Sequence, residues 1–77
     1  MRCKDDELAA IVGKRLRIAL AAQDKTVFVW AQLHGFAPKS IYRWRLGKSL
    51  PDTHSIPMLC MALGVSADWL LGLEDDV

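Results

Sequence analysis

Apolar residues recur along the chain in short blocks at helical spacing, and each block ends at glycine, proline or a polar cluster. In the first block Leu8, Ile11, Val12, Leu16, Ala19 and Leu20 share one face of a helix over about 6–22. Lys14, Arg15 and Arg17 lie mostly off that face. Asp5, Asp6 and Glu7 suit its start, where carboxylates meet free N–H groups and the positive end of the helix dipole. Gln23-Asp24-Lys25 turns the chain. Thr26 is an N-cap for a second helix over about 27–34, and Gly35 can take the left-handed conformation that ends it. Pro38 opens a third, over about 38–46, because its fixed φ and missing N–H suit the first helical position. Gly47 stops it. A fourth runs over about 54–63, with Thr53 or His54 as N-cap so that Pro57 falls in the first turn. Gly64 closes it. Ser66 caps a fifth over about 67–71, ended by Gly72, and Glu74 to Val77 read as a frayed tail. No strand-like alternation occurs. The pattern predicts an all-α fold, a compact bundle of five helices, with residues 1–77 forming one domain.

The charge distribution changes this picture from a generic bundle to a directional one. The formal net charge is only +1, yet Phe36 to Ser49 holds Lys39, Arg43, Arg45 and Lys48 and no acid. Asp68 to Val77 holds Asp68, Glu74, Asp75 and Asp76 and no Lys or Arg. Such a chain can present one basic face while staying near neutral. That face falls on the third helix. Ile41 and Trp44 are three apart and turn inward with Phe36, which leaves Lys39, Ser40, Tyr42, Arg43 and Arg45 outside. Two helices of about eight residues joined by a turn at Gly35-Phe36-Ala37 match the DNA-binding helix-turn-helix. The second helix of such a pair fits the major groove of duplex DNA. Arg43 suits a base contact, since its fork can meet guanine O6 and N7 together; Lys39 can do so as a flexible donor. Ser40 and Tyr42 suit a base or a phosphate. Lys48, Ser49, Lys25 and Thr26 suit the DNA backbone, together with the free N–H groups opening the second helix.

These residues also carry a family resemblance. Thr26, Ala31, Gly35, Ile41, Arg43, Gly47-Lys48 and Pro51, followed by Ala62-Leu63-Gly64-Val65-Ser66-Ala67-Asp68-Trp69-Leu70-Leu71, resemble the Cro and lambdoid phage repressor family. The likeness spans about Ile11 to Gly72. It implies a lambda-repressor-like five-helix fold with a central helix-turn-helix, operator binding through the third helix, and dimers on two-fold symmetric sites. It further implies transcriptional repression in the cytoplasm of a bacterial or phage-infected cell. By the same resemblance a homodimer surface would involve Leu50, Leu70 and Leu73. The chain departs from the family pattern at several positions. Val27 stands where a phosphate-binding glutamine is usual, and Phe28 and Val29 stand at usually polar positions. Arg45 occupies a position where an acid is common. His34 takes an apolar core position, where it reads as partly buried and bonded to a backbone carbonyl. Ala37 replaces a small polar cap.

Composition narrows the function classes. Just over half the residues are apolar, and Trp30, Trp44 and Trp69 read as core rather than as base-stacking platforms. Cys60 reads as core and Cys3 as a free thiol, both suited to a reducing compartment. Cys3, Cys60, His34 and His54 lack metal-site spacing. No glycine-rich phosphate loop, nucleophile triad or paired-carboxylate signature occurs, so no enzyme, cofactor, metal or small-molecule substrate is expected. No apolar run approaches the length of a membrane span, so no membrane partner is expected. The second helix is the anomaly: Val27, Phe28, Val29, Trp30, Ala31 and Leu33 leave few polar positions, and such a helix is normally buried. Local cover of Phe28 and Val29 by the start of the first helix or the N-terminal tail is the first expectation. The alternative is an apolar partner surface, which would make the protein an interaction module of an antitoxin-like or repressor-partner kind.

Overall fold

The computed structural model describes residues 4–74, within which there are five helices and no strand. They are α1 (Lys4–Ala21), α2 (Val27–Leu33), α3 (Pro38–Arg45), α4 (Ser55–Leu63) and α5 (Ala67–Leu70). Each lies where the periodicity put it, with ends shifted by one or two residues. None is long and apolar enough to cross a membrane.

Helix starts follow side-chain chemistry. The Thr26 hydroxyl accepts from the Val29 N–H at 3.3 Å and caps α2. Ser66 does the same for the Trp69 N–H at 3.0 Å and caps α5. Ala37 leaves α3 without a side-chain cap. His54 is the N-cap of α4, one of the two positions expected, but it makes no side-chain cap bond. The carboxylate of Asp52 accepts from the Ser55 N–H at 2.9 Å, and the Asp52 carbonyl receives the N–H groups of Ser55 and Ile56. Thr53 and His54 form a turn leading in, because an aspartate three residues ahead reaches the free N–H more directly than either of them.

The turn between α2 and α3 is closed by backbone bonds. Gly35 has φ +79°, and the Phe36 N–H reaches back to the Ala31 carbonyl at 2.8 Å. Gly47 has φ +73° and the Lys48 N–H reaches the Arg43 carbonyl at 3.1 Å. Both ends satisfy helix carbonyls that would otherwise lack donors, and glycine takes the left-handed φ without a Cβ penalty.

One core holds the helices together. Val12, Leu16, Leu20, Trp30, Ile41, Leu59, Leu63 and Leu70 are buried in it. Three aromatics join α2 to α3 across the turn. Trp30 and Phe36 stack with centroids 5.7 Å apart, and Phe36 meets Trp44 edge-on at 6.3 Å. Such pairs add about 0.5–1.5 kcal/mol each beyond area burial. Trp69 is only half-buried, with the Arg15 guanidinium 5.0 Å above its ring.

Three expectations are corrected here. His34 is exposed and lies against the Trp30 ring at 4.7 Å instead of sitting in the core. Ile11, assigned to the inner face of α1, is exposed, while Ala9 is buried in that face. Glu74 is held rather than frayed: its carboxylate accepts from the Ser66 hydroxyl at 2.8 Å, and Arg15 donates to its carbonyl at 3.0 Å. Cys3 and Asp75–Val77 lie outside the described residues.

Candidate nucleic-acid interface

The candidate surface begins with the sidedness of α3. Ile41 and Trp44 are buried against the core, which turns Lys39, Tyr42 and Arg43 outward. Helical periodicity leaves no other arrangement once those two apolar residues are fixed. Lys48, just past the left-handed Gly47, is also exposed. No acid lies between Phe36 and Ser49, and among the described residues Lys39, Arg43 and Lys48 have no carboxylate partner. Lys39, Arg43 and Lys48 are all exposed to solvent.

The axis of α3 is fixed by α1 through backbone. A Cβ at Gly13 would stand 2.8 Å from the Trp44 carbonyl oxygen and 2.9 Å from that of Arg45. Only glycine permits so close an approach. Arg17 of α1 donates from its guanidinium to the Arg45 carbonyl, so the C-terminal end of α3 carries a cation where its dipole is negative.

Lys39, Tyr42, Arg43 and Lys48 line one open groove of about 590 Å³, together with Phe28 from α2 and Leu46 from the end of α3. Phe28 and Leu46 were not among the expected contact residues. The available signal was the run Val27-Phe28-Val29 at usually polar positions, and it was assigned to local cover. Both Phe28 and Val29 are in fact exposed, because the inner face of this short helix is filled by Trp30 and Ala31.

The remaining expected contacts are distributed differently. Lys25 and Thr26 are exposed at the start of α2, with the Thr26 hydroxyl already engaged in its cap. Ser40 and Ser49 are half-buried. Arg45 is half-buried too, its guanidinium 5.8 Å from the Tyr42 ring centroid and its Nε enclosed without a partner. It lies beside the Tyr42 ring rather than standing free on the outer face.

Of the three leucines assigned to a dimer surface, Leu73 is 74% exposed and Leu50 is half-buried against the core. Leu70 is fully buried at 0% exposure and belongs to the core, since the four-residue α5 turns it toward the bundle.

Two thiol and carboxyl environments stand apart. Burial pushes the Cys60 thiol above its ordinary value, which keeps it protonated and unreactive. Hydrogen bonding from Ser55, through its hydroxyl and then its backbone N–H, holds the Asp52 carboxyl below its ordinary value. Among the described residues no three His, Cys, Asp or Glu side chains converge as a metal site. Comparison with family models, curated proteins and solved structures finds no match for this chain.

Proposed function

We propose that this protein is a sequence-specific DNA-binding regulator of transcription, built as a lambda-repressor-like bundle with α2 and α3 as its helix-turn-helix. In this reading α3 enters the major groove, and two copies bind a two-fold symmetric operator as a repressor in the cytoplasm of a bacterial or phage-infected cell. One observation carries it. The face of α3 opposite Ile41 and Trp44 offers Lys39 and Arg43, with Lys48 beside them, and no acid among the described residues pairs with them. Exposed cations on one rigid helix suit phosphate attraction together with guanine O6 and N7 recognition. Of the leucines expected at the homodimer surface, exposed Leu73 is the one free to make that contact, with half-buried Leu50 at its edge.

The test is retention on immobilised random-sequence duplex DNA, followed by selection of bound duplexes. Elution that needs raised salt, and a selected site with half-sites about 34–36 Å apart, are the expected results. Passage through the column at low salt would end the reading.

A second reading, a protein-interaction module using α2, is favoured by the exposure of Phe28, Val29 and Leu33 on a seven-residue helix. It predicts flow-through from the DNA column.

A further inference from the structure

The groove between α2 and α3 has an apolar floor that phosphate attraction does not account for. Phe28 is 50% exposed, Tyr42 42% and Leu46 65%, and all three line the same groove as Lys39, Arg43 and Lys48. Three large apolar side chains gathered in one groove beside cations make it a candidate contact surface. The cations restrict the occupant. Three positive side chains without an acid among them suit a polyanion and disfavour an ordinary apolar protein face. The occupant must therefore be anionic along its length and apolar at one point. Duplex DNA meets both conditions in the major groove, where thymine presents a C5-methyl group between phosphate-lined walls.

We infer that this groove reads a thymine by its methyl group, with Phe28 and Leu46 forming the contact and Arg43 taking a neighbouring guanine. The inference rests on the DNA-binding reading above and names part of its sequence preference. Phe28 is fixed for the role by its place in the first turn of α2, next to the fully buried Trp30 and Ala31. The Leu46 backbone is fixed at the C-cap of α3, where its N–H bonds the Tyr42 carbonyl at 3.1 Å, so the side chain starts from a set position. The Tyr42 ring lies against the Arg45 guanidinium, which limits its freedom to move away. Methyl recognition needs such fixed apolar walls, because one methyl group contributes too little to order a loose pocket.

The experiment uses the full chain and duplexes selected from a random pool. Each thymine of the selected site is replaced singly by deoxyuridine, which removes only the methyl group. Binding by the native protein should fall about fourfold at a thymine neighbouring a guanine in each half-site, the change expected for one buried methyl group. Phe28→Ala and Leu46→Ala should bind the thymine and deoxyuridine duplexes alike. Both positions are well exposed, and unchanged circular dichroism would show the fold intact. Deoxyuridine without effect at every position, on a site that still needs its guanines, would overturn the inference and leave the DNA reading standing. Tighter binding to single-stranded oligonucleotides than to duplex would also overturn it, since base stacking on Phe28 and Tyr42 would then explain the apolar floor. Enrichment of no duplex at all would remove the DNA reading and this inference with it.

Discussion

Among single residues, Arg43 and Lys39 were legible because helical spacing alone turns them away from Ile41 and Trp44. Replacing Arg43 by alanine should cost about 1–3 kcal/mol on the preferred site and relax the choice at one base pair. Titration against matched and mismatched duplexes checks this, and an equal loss on both would assign Arg43 to phosphate instead. Leu70, Phe28 and His34 were not legible. Each sits in or just after a short helix with apolar residues on several sides, where spacing does not decide which of them turns inward. Asp52 lay in a loop whose capping role depended on where α4 began. Its carboxyl is held below the ordinary value in the folded chain by Ser55, so its contribution is present above the unfolded value and lost as pH falls through the folded one. Thermal melts between about pH 5 and pH 2 should therefore show an acid-side loss that is smaller in Asp52→Asn.

At the scale of elements, caps and stops were the best-read features. Thr26 and Ser66 carry the expected hydroxyl bonds, and Gly35 and Gly47 take the expected left-handed turns. These signals are local, so the sequence states them directly. Ala37 marks a vacancy in the same code: its ψ of 124° already has the geometry of an N-cap, yet its side chain offers no acceptor, and the Ser40 N–H reaches only the Ala37 carbonyl, at 3.0 Å. Ala37→Ser should stabilise the protein by about 1 kcal/mol. In a calorimetric scan the melting temperature should then rise by about 4–8 °C. Gly13 makes the opposite case. A glycine inside a helix normally costs about 1 kcal/mol against alanine, so Gly13→Ala ought to help by propensity alone. Here the added methyl would meet two backbone carbonyls of α3 closer than 3.0 Å, and the change should instead destabilise by about 1–3 kcal/mol. Denaturant unfolding decides the sign. Nothing near Gly13 in the chain announced this contact, since the residues it admits are more than thirty positions away.

Over the whole molecule, the all-helical class was readable and the mutual placement of helices was not. Placement depends on long-range bonds such as those from Arg15 to the carbonyls of Trp69 and Glu74, which tie α1 to the end of the described chain. The same bonds sort the cations into two populations. Arg15 and Arg17 are spent on backbone carbonyls, whereas Lys39, Arg43 and Lys48 have no carboxylate partner among the described residues. A formal charge of +1 thus understates what an approaching polyanion meets. Lys48→Ala should weaken all duplexes alike and reduce the salt slope by about one. Equilibrium binding at several ionic strengths measures this, and an unchanged slope would take Lys48 off the phosphate backbone.

The glycine seat beneath α3 separates aim from vocabulary. Because the helix rests on α1 through main-chain atoms, its direction is indifferent to whichever side chains its outer surface carries. Positions 39, 42 and 43 are therefore free to be respelled, and in the DNA-binding reading proposed above that would exchange one base preference for another while the scaffold underneath stays as it is.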